Sequence, residues 1–152
     1  MSKQNLFNLL KILFVCLVVV YIHIRYRDND ESPRYDNGQL KSYGSYSNGL
    51  PEGTWTWWFE NGNKMTEGNF ENGKRYGQWF TWFENGTKKS DAFYINDKLN
   101  GIQFRWNQNR TIVFRGNYEN DKQKGKQNYF NSEGELIKTE FYIDGNLLEE
   151  RY

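Results

Sequence analysis

The chain has 152 residues, room for one domain of ordinary size, and its 18% aromatic content with 14 glycines and 2 prolines favours sheet over helix. Its formal charge is +1, and beyond residue 27 it holds 16 basic against 19 acidic side chains, a net −3 that argues against a nucleic-acid surface. The single cysteine, Cys16, and the single histidine, His23, both fall in an apolar N-terminal stretch. The rest of the chain therefore excludes Cys/His zinc sites, disulfides, thiol nucleophiles and Ser-His-Asp triads.

The first element in chain order is the apolar run from Leu6 to Ile24, interrupted by Asn8 and Lys11 before His23. At about 1.5 Å per residue a helix over this run spans a bilayer core. Tyr21, His23 and Arg25 follow it where a cleaved signal needs small residues, so residues 1–27 are expected to form an uncleaved, single-pass anchor. Val15 precedes Cys16 where a lipobox requires a small residue, which argues against lipidation. The repeat-bearing part is expected on the extracytoplasmic side. Residues 28–33 are dense in charge and end in Pro33, the composition of a solvated linker. Asp28, Asp30 and Glu31 there lack the Gly and the later bidentate Glu of a calcium loop.

From residue 34 to 152 the chain repeats at an offset of 24. The segment WFENG occurs at Trp58 to Gly62 and again at Trp82 to Gly86. The same offset links Tyr46, Phe70, Tyr94, Tyr118 and Tyr142, then Gly53, Gly77, Gly101 and Gly125, then Trp58, Trp82, Trp106 and Phe130. Five units without insertion, the last truncated, make the whole segment one array. Each unit holds two Asn-Gly-like turn signals separated by runs of Thr, Trp, Tyr and Phe. Asn-Gly supplies the positive φ that tight hairpins require, so the expected fold is all-β: a single-layer antiparallel meander of nine or ten short strands. The column of Gly53, Gly77, Gly101 and Gly125 is expected to supply a bulge or to let a neighbouring ring lie across the strand.

The segment GNFENGKRYGQWFTWFENG, from Gly68 to Gly86, resembles the MORN repeat family, in the variant form of bacterial antitoxin-type proteins. The frame stands as Gly44, Tyr46, Gly49, Gly53, Trp55 and as Gly68, Phe70, Gly73, Gly77, Trp79, and it decays in later units through Ala92, Asp97, Gln103, Asp121 and Gln127. The resemblance implies a β-hairpin array for protein or membrane-surface contact, with no catalytic residues and no cofactor. Aromatic hairpin repeats of the choline-binding cell-wall type are a second resemblance, through WWFENGNKMTEGNF from Trp57 to Phe70. It implies a cage of rings for a cationic or sugar ligand.

Two apparent catalytic or nucleotide motifs have plainer readings. Gly68, Gly73 and Lys74 match a phosphate-binding loop, but Arg75 stands where Ser or Thr should bind magnesium and no helix follows, so no nucleotide site is expected. Glu60, Glu84, Glu71 and Glu119 fall beside turns one or more units apart, the placement of solvated tips rather than of a glycosidase pair. A metal site is likewise not expected. What remains is an excess of rings: 24 aromatics beyond residue 33 exceed what a thin sheet hides, so an exposed patch for a protein partner is expected. Five of the six Trp fall in the first two units. The candidate partner surface is therefore Tyr46, Trp55, Trp57, Trp58, Phe70, Trp79 and Trp82, on a non-catalytic module tethered through residues 6–24.

Overall fold

The computed structural model describes residues 3–28 and 32–152. Residues 29–31, half of the expected linker and including Asp30 and Glu31, lie outside the described residues. The chain divides into two compact units, Met1–Ser32 and Pro33–Tyr152.

The first unit is one helix, α1, over Lys3–Asp28. Its segment Gln4–Tyr21 has a mean hydropathy of 1.8, and the helix is long and apolar enough to cross a membrane. Lys11, the one cation inside the apolar run, lies 4.5 Å from the centroid of the Phe7 ring one turn earlier, which shields part of its charge. Cys16 is an exposed free thiol on this helix.

The second unit is one ten-stranded sheet in strict sequence order. Its strands are β1 (Ser42–Ser47), β2 (Leu50–Trp58), β3 (Lys64–Glu71), β4 (Lys74–Trp82), β5 (Lys88–Ile95), β6 (Lys98–Trp106), β7 (Ile112–Glu119), β8 (Lys122–Phe130), β9 (Leu136–Ile143) and β10 (Asn146–Arg151). Every neighbouring pair is antiparallel, so the sheet is the meander that the turn spacing predicts.

Two kinds of turn alternate because two turn chemistries alternate in the sequence. The tight turns hold paired left-handed residues: Asn48 and Gly49 (φ 51° and 77°), Asn72 and Gly73 (51° and 78°), and Asn96 and Asp97 (50° and 69°). That is the two-residue turn whose twist matches flanking strands, and Asn and Asp enter it at lower cost than other side chains. The longer turns are built on an Asn side chain. Asn61 Oδ1 accepts from Asn63 N at 2.9 Å, Gly62 N donates to Phe59 O at 3.0 Å, and Asn85 repeats the motif with Thr87. Strict alternation from Trp79 would put Phe83 on the same face, but it sits in this turn, where its N donates to Thr87 O at 2.9 Å.

Both rows of turns are stitched from unit to unit. Asn37 Nδ2 donates to Glu60 O and Asn61 Nδ2 to Glu84 O, each at 2.9 Å. At the opposite edge Gly73 N donates to Pro51 O and Asp97 N to Arg75 O, each at 3.0 Å. Where Asp replaces Gly in the tight turn, its carboxylate adds a bond: Asp97 Oδ1 accepts from Arg75 N at 2.9 Å and Asp121 Oδ1 from Leu99 N at 2.7 Å. The backbone N–H and guanidinium of Arg75 hold the Asp97 carboxyl below its usual value.

The glycine column has a backbone cause. Gly77 has φ 77°, and a Cβ there would meet nothing within 4 Å. The pairing jumps from Gly68↔Trp79 to Asn69↔Tyr76, so Gly77 and Gln78 are extra residues on β4. The column supplies the bulge, and the alternative of ring contact belongs to a different glycine column described next.

Candidate functional site

Strand alternation puts two faces on the sheet, and the core lies on one of them. Its buried residues are Trp55, Gly68, Trp79, Ala92, Phe114, Gly116, Gln127 and Glu140, all at alternating positions on that face. Trp55 and Trp79 are each 8% exposed. The Trp55 indole lies flat on Gly44 and the Trp79 indole on Gly68, so closely that a methyl group on either glycine would occupy the ring. Each indole also donates to a main-chain carbonyl ten residues earlier, Trp55 Nε1 to Ser45 O at 3.0 Å and Trp79 Nε1 to Asn69 O at 3.1 Å.

Gln127 explains why the column stops being aromatic. Its Nε2 donates to Asn117 O at 2.9 Å, the same carbonyl ten residues back that an indole would reach. The side chain is 0% exposed, so it does not face solvent. The glutamine keeps the donor and gives up the ring. Among the described residues its Oε1 is a buried acceptor with no partner, as follows when a carboxamide fills a position whose bonding pattern asks only for a donor.

The rings of the first units form a connected ladder. Tyr46 meets Trp55 edge-on at 4.9 Å, Trp55 meets Phe70 at 6.2 Å, Phe70 meets Trp79 at 5.1 Å, and Trp79 meets Tyr94 at 6.2 Å. Trp57 stacks on Trp55 at 5.6 Å and reaches Trp79 at 5.9 Å. Arg75 closes the end over the Tyr94 ring at 4.1 Å. Such edge-on contacts suit the ring quadrupoles.

The seven residues expected as one partner surface are therefore not one surface. Trp55 and Trp79 are core. Tyr46, 65% exposed, together with half-buried Trp57 and Phe70, stays available on the core-bearing face. Trp82 packs beside Phe80 on the opposite face, under Lys64 at 5.7 Å, and alternation puts Trp58 there as well. The sequence shows an aromatic column but not the flat glycine beneath it, and the column of Gly44, Gly68, Ala92 and Gly116 at the same offset is the signal that identifies the buried rings.

The acids behave as turn residues. Glu60, Glu84, Glu71 and Glu119 are exposed, and the Glu60 and Glu84 carbonyls serve the Asn ladder. Gly73 belongs to a tight hairpin turn, so the apparent phosphate loop is the repeat itself. A different acid organises the last unit. Glu140 takes the position of the small-residue column and accepts from Tyr129 Oη at 2.7 Å, Lys138 Nζ at 2.7 Å and Tyr142 Oη at 3.1 Å. Lys138 also reaches Glu150 at 3.2 Å. Lys138 holds the Glu140 carboxyl below its usual value, and burial together with that carboxylate pushes the Tyr129 phenol up to about 12.

A family model described as MORN repeat variant matches residues 51–72 and 75–96, which are the β2–β3 and β4–β5 hairpins. The match falls on the two units in which the frame is fullest, and its description carries no antitoxin qualifier. No curated protein matches the chain. Among solved structures, the crystal structure of TarM is similar over 86% of this chain with 9% identity and a TM-score of 0.41, and this chain spans 27% of that one.

Proposed function

We propose that the protein is a non-catalytic, membrane-tethered repeat module that holds a protein partner on the ring-bearing face of its first units. The observation that carries this reading is the ladder from Tyr46 to Tyr94. Rings locked by their neighbours have little rotamer freedom left to lose, so Tyr46, Trp57 and Phe70 present contact area that is already ordered. MORN repeats over the same hairpins favour a contact role. A ring cage for choline or sugar fits less well, since one face of each of Trp55 and Trp79 is occupied by glycine and both indole N–H groups are engaged.

The test is capture of the partner by the full chain and by three folded variants. Tyr46→Ala and Trp57→Ala are expected to lose it, while Trp58→Ala on the opposite face retains it. Loss with Trp58→Ala alone would place contact on the wrong face. Trp fluorescence of the full chain in choline-free phosphatidylglycerol bilayers should stay flat on titration with choline or cell-wall fragments, and saturable quenching would favour the cage.

A further inference from the structure

The face opposite the buried rings changes its charge along the array. In the second and third units it carries internal ion pairs at one repeated position, Lys64 with Glu67 at 2.5 Å and Lys88 with Asp91 at 3.1 Å. Gln78 adds a hydrogen bond to Asp91. One unit later both partners are replaced together: Ile112 stands for the lysine and Arg115 for the acid. On the neighbouring strand the position held by Thr54, Gln78 and Ile102 becomes Lys126. The self-neutralising pair has given way to a lone arginine with a new lysine beside it, and neither Arg115 nor Lys126 forms an ion pair among the described residues.

These cations line a concavity of about 370 Å³ over β6 to β8, beside Ile102, Asn117 and Asn128. A second concavity of about 400 Å³ over β8 to β10 shares Lys126 and Asn128 with it and adds Leu136, Ile137, Phe141, Arg151 and Tyr152. The two form one groove: Arg115 and Lys126 lie at one end, and at the other Leu136, Ile137 and Phe141 are flanked by Lys138 and Arg151, whose charges are taken up by Glu140, Glu150 and Glu149. Among the described residues, no carboxylate lines either part. Phe141 joins the halves, with Lys126 at 5.6 Å and Arg151 at 5.2 Å from its ring centroid. Asn128 Oδ1 accepts from Thr139 at 3.0 Å, which leaves its amide hydrogens to donate outward.

We propose that this groove binds an extended peptide of a partner protein in which acidic and apolar side chains are mixed, at a site separate from the ring ladder of the first units. Arg115 offers a planar fork for a carboxylate and Lys126 a second positive charge, while Ile102, Leu136, Ile137 and Phe141 take apolar side chains. From β6 to β10 the groove crosses four strand spacings, about 19 Å, the length of about six extended residues. The exposed acids Glu119, Glu135 and Glu149 of the same units set an anionic membrane surface against it but leave room for a narrow chain inserted between them.

The test uses the full chain in phosphatidylcholine nanodiscs and a dye-labelled peptide of about eight residues alternating Glu and Leu, followed by anisotropy. The peptide should bind saturably. The double variant Arg115→Glu, Lys126→Glu should weaken it by about tenfold or more, which is about 1.4 kcal/mol. Lys98→Glu, an exposed reversal outside the groove, should leave it unchanged. A Ser-Leu peptide and an all-Glu peptide should each bind worse than the mixed one, because each uses only half of the groove. No saturable binding, or binding indifferent to the double reversal, overturns the proposal. Equal displacement by inorganic phosphate would reassign the site to free oxyanions, and displacement by phosphatidylserine vesicles that the double reversal abolishes would reassign it to a membrane. Both results overturn the peptide assignment. None of these outcomes bears on the ring ladder, whose capture test reads other residues.

Discussion

Two glycine columns do different work, and substitution separates them. At Gly77 the constraint is the left-handed backbone alone, so Gly77→Val should cost about 1–2 kcal/mol while Gln78→Val next to it costs about 0.5 or less. At Gly68 the constraint is the indole above it, and Gly68→Ala should cost about 2 kcal/mol or more because the ring of Trp79 must move. The natural array supplies the compensating pair: the third unit has Ala92 in the glycine column, and the register from Asp91↔Phe104 to Phe93↔Asn100 sets it opposite Gln103. The double variant Gly68→Ala, Trp79→Gln should therefore be less destabilised than its two single variants added together, by about 1 kcal/mol, measured by denaturant unfolding of the full chain. Strict additivity would contradict the account of rings lying on glycine.

At the scale of the element, the last hairpin replaces the ring-on-glycine arrangement by a polar cluster. Glu140 stands in the small-residue column, and its carboxylate is held by Tyr129, Lys138 and Tyr142. Its pKa is lower in the folded chain than in the unfolded one. The stability it confers is complete above the ordinary value of 4.5 and is lost as pH falls through the folded value. Tyr129 runs the other way: its contribution is complete below pH 10 and fades as pH rises towards about 12. Melting temperature should thus hold a plateau between these limits, and Glu140→Gln should make the acid limb shallower. Asp97 keeps part of that limb, since its own pKa is also lowered by Arg75. An unchanged acid limb in the variant would remove the role assigned to Glu140. The strands and turns of this hairpin were legible in the sequence because Asn-Gly and its Asp variants fix backbone angles locally. The cluster was not, because Glu140, Tyr129 and Lys138 all depart from the repeat and only Tyr142 holds a position that the offset of 24 marks.

At the scale of the molecule, strand order and period were readable from the offset of 24, whereas the division into a core face and an open face was not. Both faces carry rings, and only the depth of the backbone beneath each ring decides which are buried. The same holds for the groove: Arg115 and Lys126 look like ordinary surface cations until the register shows that they replace an ion pair and its neighbour. If each unit is one interchangeable step of a continuous sheet, units can be removed without disturbing their neighbours. Deleting residues 75–98, one full period, joins Lys74 to Leu99 in phase and leaves the groove of β6 to β10 intact. Deleting residues 75–86, half a period, brings the next strand in on the wrong face. The most direct test is thermal unfolding of both deletions followed by far-ultraviolet circular dichroism, with the Glu-Leu peptide titrated into each. The account predicts a strand spectrum, a cooperative transition and retained peptide binding for the full-period deletion only. Loss of the folded sheet in both deletions alike would contradict it.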